Sequence, residues 1–214
     1  MILLLLIGLG TMMVQAQTYP INFLPYTITL PGNYVLSANL TGNAGTLISI
    51  VASNVTLDLN GHTIQSTQST YGIALHSVQN VVVKNGSIRN PITLTSPEQG
   101  GGIYLDRCTQ CLITGLSISS KQEGILDYGG FEDVFKDCRL IVEPSLKPAI
   151  TLNNTGGDVV EDCVIYAQAT GVLTEMHSVH TTNVIRHNII YAIGSPGLSL
   201  QADSNIDNTV IDNL

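Results

Sequence analysis

The chain has 214 residues, of which 44% are hydrophobic and only 11% are charged, and its formal net charge is −8. With only 8 lysines and arginines it lacks the basic surface that binds a phosphate backbone, which excludes a nucleic-acid partner. An anionic polysaccharide is disfavoured for the same reason, and the absence of tryptophan weakens a broad sugar-stacking platform. Polarity that comes mainly from Asn, Thr, Ser and Gln favours strands over surface helices.

The first sixteen residues predict a secretion signal. An apolar run from Ile2 to Leu9 precedes the small-x-small ending Val14-Gln15-Ala16, although the usual basic residues are missing at its start. A cleaved signal peptide over residues 1–16 and a short retained hydrophobic segment both fit this pattern. A membrane-spanning helix does not, because it needs about 20 apolar residues. We therefore expect a secreted, extracellular or cell-surface protein.

A short apolar strand, usually introduced by glycine, recurs along the rest of the chain. Its first aliphatic residues follow one another at steps of 25, 30, 22, 25, 22 and 26 residues. They are Ile48, Ile73, Ile103, Ile125, Ile150, Val172 and Leu198. Such steps match one turn of a three-sheet solenoid, so the repeat predicts about seven coils over residues 45–214.

Each repeat also contains a second block of two short strands around a tight corner, as in Val81 to Ile88 and Val159 to Ile165. The blocks alternate with period two, so one side of each strand faces the core. Stacked coils place equivalent residues in ladders, and one predicted corner ladder comprises Gly86, Leu116, Cys138, Cys163 and Asn188. Since no sustained helical periodicity occurs after residue 16, the sequence predicts an all-β, three-sheet parallel β-helix.

The four cysteines allow two interpretations. Cys138 and Cys163 occupy equivalent corners one coil apart, within the distance that a disulfide can bridge, and they also suit buried thiols. The same alternatives apply to Cys108 and Cys111, whose CxxC spacing has no second ligand pair at zinc-finger distance. No catalytic partner can be placed beside any of the four, and the sequence predicts no metal centre.

Four sequons offer sites for N-glycosylation if the host glycosylates secreted chains. They begin at Asn39, Asn54, Asn85 and Asn153. In a host that does not glycosylate, they are incidental products of a turn-rich, Asn-rich solenoid.

Several motifs together resemble a known family. The run Pro31 to Leu36, the segment Asn54 to Ile64 and the repeated Gly-Ile-x-Leu and Val-x-x-Asp-Cys/Asn-x-Ile blocks resemble the secreted right-handed β-helix repeat proteins of the pectate lyase-like superfamily. The resemblance runs from about residue 26 to the end. It implies a right-handed coil and an N-terminal β cap within residues 17–44. It leaves the function open, because the superfamily includes lyases, hydrolases, tailspikes and adhesins.

The chemistry of the enzymes in that superfamily is poorly matched. A resemblance to its hydrolases would imply paired carboxylates just before the glycine of first-sheet strands. At those positions this chain has only one carboxylate, Glu123. Lyase chemistry needs several carboxylates around calcium, whereas Asp106 and Glu175 are expected three coils apart. We therefore predict no catalytic residue, no cofactor and, on balance, no enzyme.

Polar and aromatic residues nonetheless collect on the predicted outer side of the first sheet. Tyr104 and Tyr128 lie near it, and the outward column includes His76, Asp106 and Glu175. These five residues are the candidates for a shallow carbohydrate-binding face. A solvated polar ladder without a ligand is the alternative.

Three functions remain. The first is a non-catalytic structural solenoid that self-associates through its ends into an extracellular fibre or surface assembly, since the last block, Asn208 to Leu214, stops partway round a coil. Either the chain is a fragment or something outside it covers that end. The second is a carbohydrate-binding or adhesin module. The third, a divergent polysaccharide lyase or glycoside hydrolase, is disfavoured by the short groove that seven coils offer.

Overall fold

The computed structural model describes residues 17–43, 45–68, 70–91, 100–143, 145–176, 182–202 and 208–214. Within these ranges the chain forms strands and turns without helix, and every pairing between neighbouring strands is parallel. The predicted secretion signal over residues 1–16 lies outside the described residues. None of the described segments forms a helix that could span a bilayer.

Eight strands form the first sheet, one from each successive coil. They are β2 (Tyr26–Ile28), β5 (Ile48–Ile50), β8 (Tyr71–His76), β10 (Gly101–Asp106), β12 (Glu123–Tyr128), β15 (Ile150–Asn153), β18 (Val172–Met176) and β21 (Leu198–Ala202). The register pairs Ile48 with Ile73, Ile73 with Ile103 and so on to Leu198, which confirms the predicted repeat.

The second sheet is built from the strands that follow the first corner. They are β1 (Thr18–Ile21), β3 (Gly32–Leu36), β6 (Val55–Asp58), β13 (Val134–Lys136), β16 (Val159–Glu161), β19 (Val184–Arg186) and β22 (Thr209–Ile211). The third sheet contains β4 (Leu40–Gly42), β7 (Thr63–Ser66), β14 (Arg139–Val142), β17 (Val164–Ala167) and β20 (Ile189–Ala192).

Two long strands join the second and third sheets. β9 (Val82–Asn90) and β11 (Leu112–Ser120) run through the corner without a break, and Leu116 stays paired with Gly86 there. The three predicted walls therefore form two hydrogen-bonded sheets, one of 8 strands and one of 14 strands.

The corner between the second and third sheets repeats one backbone conformation. Its residues Asn85, Gly115, Asp137, Asp162 and His187 all have φ between 53° and 61°. This left-handed region is most accessible to glycine, asparagine and aspartate, which accounts for the Asn and Asp residues at these positions of the repeat. The corner turns the chain so that the next strand enters the third sheet.

A single apolar column fills the solenoid. Ile73, Ile103, Ile125 and Ile150 are fully buried and stacked in one file, together with equivalent aliphatic residues of the other two walls. Burying such a side chain contributes about 1.5–3 kcal/mol, so stacking of coils is the main source of stability.

The N-terminal strands continue the same winding. β1 pairs with β3, β2 with β5, β3 with β6 and β4 with β7, so residues 18–42 lie at the N-terminal end of the stack. The division into a cap over residues 17–44 and a β-helix from residue 45 stays a prediction.

The cysteines are four buried free thiols. A hydrogen bond with the Cys163 thiol lowers the pKa of Cys138, and the Cys138 and Cys163 thiols are therefore neighbours in the corner ladder. The disulfides, and glycosylation at Asn39, Asn54, Asn85 and Asn153, stay predictions. Of these asparagines, Asn39, Asn54 and Asn85 are exposed.

Candidate functional site

The outward side of β8, β10, β12, β15 and β18 carries the predicted binding residues, and we call it the first-sheet face. Its first column holds Ala74, Tyr104, Leu126, Thr151 and Leu173. Its second column holds His76, Asp106, Tyr128, Asn153 and Glu175. The structure thus places all five candidates on one face, Tyr104 in the first column and the other four in the second.

Aromatic rings cluster at one end of this face. The ring of Tyr71 stacks on that of Tyr104, with centroids 5.0 Å apart, and His76 meets Tyr104 edge-on at 6.1 Å. Tyr71 is buried and burial raises its pKa, so its hydroxyl stays neutral. Tyr128, two coils along from Tyr71, is 43% exposed and offers the open ring on the face.

Asp106 is held by its neighbours. Nε and Nη2 of Arg107 each donate to its carboxylate at 3.0 Å. Nδ1 of His76 lies 3.9 Å from Asp106 Oδ2. Asp106 is therefore paired with a cation on the rim of the face, and its column position is three strands from that of Glu175.

Glu123 begins β12 and is only 6% exposed. Thr151 Oγ1 donates to its Oε1 at 3.5 Å, while Oε2 has no partner among the described residues. Burial raises the pKa of Glu123, with Lys147 and Thr151 acting in the opposite direction. The carboxyl group therefore lies at the base of the face, with its second oxygen buried beneath the surface.

A shallow depression of about 200 Å³ lies over Glu123. In the wall of this depression, Asn153 Nδ2 donates to Glu175 Oε2 of the next coil at 2.7 Å. The lining residues are Glu123, Leu126, Tyr128, Lys147, Pro148, Thr151, Asn153, Leu173 and Glu175. Apolar ring faces beside amide, hydroxyl and carboxyl groups match the two sides of a sugar ring, one of C–H groups and one of hydroxyls.

A larger and more open depression of about 390 Å³ follows the corner between the second and third sheets. Gly86 and Gly115 line it, and Asp137, Arg139 and Asp162 border it. No aromatic ring lines it. The first-sheet face therefore suits a sugar better, despite its smaller volume.

The sequence did not lead us to predict one cluster of interior carboxylates. Asp127, Asp133 and Asp158 are fully buried, and one carboxylate oxygen of each lies within 4.8 Å of one oxygen of each of the other two. The repeat contained the signal, because Asp127 occupies the inward column that holds Leu75, Leu105 and Leu152 in other coils. This cluster faces the interior and is separate from the first-sheet face.

Comparison with known proteins identifies the class. The model of the family described as right handed beta helix region matches residues 71–214, and the chain belongs to this family. The predicted right-handed parallel β-helix is thereby confirmed. No curated protein matches the chain.

Solved structures share the fold. The periplasmic alginate epimerase AlgG is 13% identical, with a TM-score of 0.63 over 86% of this chain and 46% of the epimerase. A double mutant of that epimerase is 14% identical, with a TM-score of 0.63 over 88% of this chain and 47% of its own. The Dettilon tailspike protein is 14% identical, with a TM-score of 0.54 over 81% of this chain and 41% of the tailspike. The chain spans less than half the length of each, and the likeness is one of fold.

Proposed function

We propose that the protein is a non-catalytic, secreted module that binds a polysaccharide on its first-sheet face. The observation that carries this proposal is the exposed ring of Tyr128 beside a depression whose polar lining includes Glu123, Asn153 and Glu175. The signal pattern in residues 1–16 supports export, and use of a similar fold by an alginate epimerase supports a polysaccharide ligand.

The charge of the face selects the ligand class. Asp106, Glu123 and Glu175 contribute carboxyl groups, and the chain has a net charge of −8. Electrostatic repulsion would disfavour both the approach and the binding of a polyanionic ligand. We therefore propose a neutral glycan, held by hydroxyl hydrogen bonds and by ring stacking.

A substitution at Tyr128 tests the face. Tyr128→Ala removes the exposed ring. We expect the affinity to fall by about tenfold, equivalent to about 1.4 kcal/mol. A glycan array with the wild-type chain identifies the ligand, and calorimetry with that ligand measures the dissociation constants.

Tyr191→Ala is the matched control. Tyr191 is 53% exposed and stacks on Tyr166 with centroids 4.8 Å apart, but both lie on the third sheet. Equal losses in the two variants, or no glycan bound by the wild type, would contradict the proposal. Release of new reducing ends from the bound glycan would contradict the non-catalytic part.

A second candidate function is self-association into a fibre or surface assembly. It is favoured by the last coil, where inward-column residues are open to solvent: Leu200 is 50% exposed and Val210 is 44% exposed. β21 and β22 present a parallel strand edge there, and β1 and β2 present the opposite edge at the other end of the described stack. Two copies stacked head to tail would pair these edges and cover the apolar residues, which gives a filament when the rotation does not close.

Light scattering and electron microscopy of the processed chain test this second function. We expect oligomers or filaments whose size rises with protein concentration. A monodisperse monomer at millimolar concentration would contradict it, and would leave the glycan-binding proposal untouched.

A further inference from the structure

The interior corner between the first and second sheets changes composition from coil to coil. Each coil directs three side chains inward there, one from the end of the first-sheet strand and two from the turn that follows. In four successive coils these are Leu75, Val78 and Val81; Leu105, Cys108 and Cys111; Asp127, Gly130 and Asp133; and Leu152, Thr155 and Asp158. The third and fourth of these coils therefore bring carboxylates into an otherwise apolar column.

Asp127 stands where its neighbours in the column are leucines. It is 0% exposed, and neither Oδ1 nor Oδ2 has a hydrogen-bond partner among the described residues. An unpartnered buried carboxylate costs free energy that a leucine would not, so its presence requires a compensating group.

Asp133 and Asp158 are oriented by the backbone of the preceding coil. The amide N–H of Cys111 donates to Asp133 Oδ1 at 2.7 Å, and the N–H of Asp133 donates to Asp158 Oδ1 at 3.0 Å. The second oxygen of each, Oδ2, is buried and has no hydrogen-bond partner among the residues that the structure describes. In each side chain the hydrogen bond therefore fixes one oxygen, and the other oxygen points into the cluster.

The ladder of side chains that accept these backbone hydrogen bonds does not require negatively charged residues. Asn183 Oδ1 accepts from the Asp158 N–H and Asn208 Oδ1 accepts from the Asn183 N–H, both at 3.0 Å. Neutral asparagines therefore accept the equivalent backbone hydrogen bonds in the next two coils. Aspartate replaces asparagine at the two ladder positions that lie beside Asp127. The negative charges therefore serve the cluster and not the backbone.

Gly130 leaves space at the same point. A Cβ on Gly130 would lie 2.5 Å from Asp127 Oδ1 and 2.7 Å from Asp133 Oδ2. The equivalent positions in neighbouring coils hold Val78, Cys108 and Thr155, each with a side chain. The missing side chain keeps the approach to the carboxylate oxygens open.

Three carboxylates in this setting need positive charge. All three side chains are 0% exposed, and burial disfavours the charged form of a carboxyl group. No described lysine, arginine or histidine forms an ion pair with any of the three, whose polar surroundings include the Cys111 thiol and the Thr155 hydroxyl. The cluster must therefore hold either shared protons or a metal ion.

We propose that Asp127, Asp133 and Asp158 bind one divalent hard cation, Ca²⁺ by preference, inside the solenoid. Four carboxylate oxygens are available: both oxygens of Asp127 and the Oδ2 atoms of Asp133 and Asp158. One oxygen of each aspartate lies within 4.8 Å of one oxygen of each of the other two, a spacing at which the three can share an ion with Ca–O distances of about 2.3–2.6 Å. The set contains oxygen and no thiolate, so it selects Ca²⁺ or Mg²⁺ over zinc. This interior site is independent of the proposed glycan-binding face.

The test compares the full chain refolded in Ca²⁺, in Mg²⁺ and in EDTA. We expect elemental analysis after desalting to find one Ca²⁺ per chain, and the thermal midpoint to be about 5 °C or more higher in Ca²⁺ than in EDTA. A smaller shift in Mg²⁺ is expected, because Mg²⁺ dehydrates reluctantly.

Asp158→Asn is the decisive variant because asparagine preserves the ladder hydrogen bond, as at Asn183. We expect it to lose the bound ion and the Ca²⁺-dependent shift while still folding. Asp127→Leu, which restores the leucine column, should lose both as well and should fold in EDTA. Asp106→Asn, on the outer face, should keep both.

Two outcomes overturn the proposal. The first is a wild-type chain with no retained divalent ion and equal midpoints in Ca²⁺ and EDTA, which would leave shared protons as the compensating charge. The second is a bound ion that survives in both Asp158→Asn and Asp127→Leu, which would place it elsewhere.

Discussion

At the residue scale, a glycine that faces the solenoid interior lies next to the first residue of several first-sheet strands. Gly72, Gly102, Gly124 and Gly171 each lie against a carbonyl of the next coil and an aliphatic side chain of the third sheet. At Gly124 an added Cβ would lie 2.5 Å from the Ala149 carbonyl oxygen and 2.7 Å from Leu140 Cδ2. The coils approach so closely here that a hydrogen is the largest substituent that fits.

Gly124→Ala should therefore destabilise the protein by about 1–3 kcal/mol, the usual cost of overpacking a core. Urea unfolding followed by circular dichroism measures this change in the free energy of unfolding. Gly45→Ala is the control, since a Cβ there meets nothing within 4 Å. Similar stabilities for Gly124→Ala and wild type would show that the coils can separate locally without cost.

These glycines were visible in the sequence as the first residue of the repeated Gly-Ile-x-Leu strand, whereas the interior aspartates were not recognised. The repeat fixes which residues stack, because equivalent positions must share a wall. It does not fix where a strand bends into a turn, and Gly130 and Asp133 lie in such a turn. Their convergence with Asp127 needed the backbone path.

At the element scale, the second sheet carries a ladder of alternating charge. Lys136, Glu161 and Arg186 are paired in register on β13, β16 and β19. Lys136 Nζ lies 3.0 Å from Glu161 Oε1, and Arg186 Nε donates to Glu161 Oε2 at 2.8 Å. The hydrogen bonds from Arg186 and then Lys136 lower the pKa of Glu161 below its ordinary value.

Glu161→Gln should cost about 1 kcal/mol at pH 7, a modest figure because both cations are well exposed. A folded-state pKa below the unfolded value means that this stabilisation is complete above the unfolded pKa. It is lost as the pH falls through the lower, folded pKa. The stability difference between the two chains should therefore vanish in strong acid. Thermal unfolding followed from pH 7 into strong acid, below the folded pKa of Glu161, measures it.

Glu143→Gln, at an exposed position, is the control and should leave stability nearly unchanged. A Glu161→Gln defect that persists at the acid end of the series would show that packing, and not charge, is responsible. High salt should reduce the defect at pH 7, since exposed pairs are screened.

The first-sheet face illustrates what sequence can and cannot supply at this scale. Period-two alternation placed His76, Asp106, Tyr128 and Glu175 in one outward column, as the structure shows. The stacking of Tyr71 on Tyr104 and the burial of Glu123 depend on how the strand starts are bent, which alternation does not encode.

At the scale of the whole molecule, the last described coil differs from the middle of the stack. Inner coils are covered on both sides, whereas Val210, in the inward column of the second sheet, remains 44% exposed at the last coil. Among the described residues, the inward columns are therefore covered within the stack and exposed at the last coil.

Val210→Lys should abolish head-to-tail association, because a charge placed in the apolar end cannot be buried against a second copy. Sedimentation velocity over a range of concentrations measures the oligomers. Leu146→Lys adds the same charge to a residue that is 97% exposed on a side loop, and it should associate like wild type. Association unchanged by Val210→Lys would show that the ends are not the contact.

In the second half of the solenoid, the side-chain ladders repeat with a constant step of 25 residues. The amide N–H of Asp133 is bound by Asp158, that of Asp158 by Asn183 and that of Asn183 by Asn208, and the corner ladder from Cys163 through Asn188 to Asn213 has the same step. A tandem copy of one such stretch of chain would present each of these ladder acceptors to the donor that it meets now. Duplication of a short coding segment would thus lengthen both ladders by a whole coil with their hydrogen bonds intact.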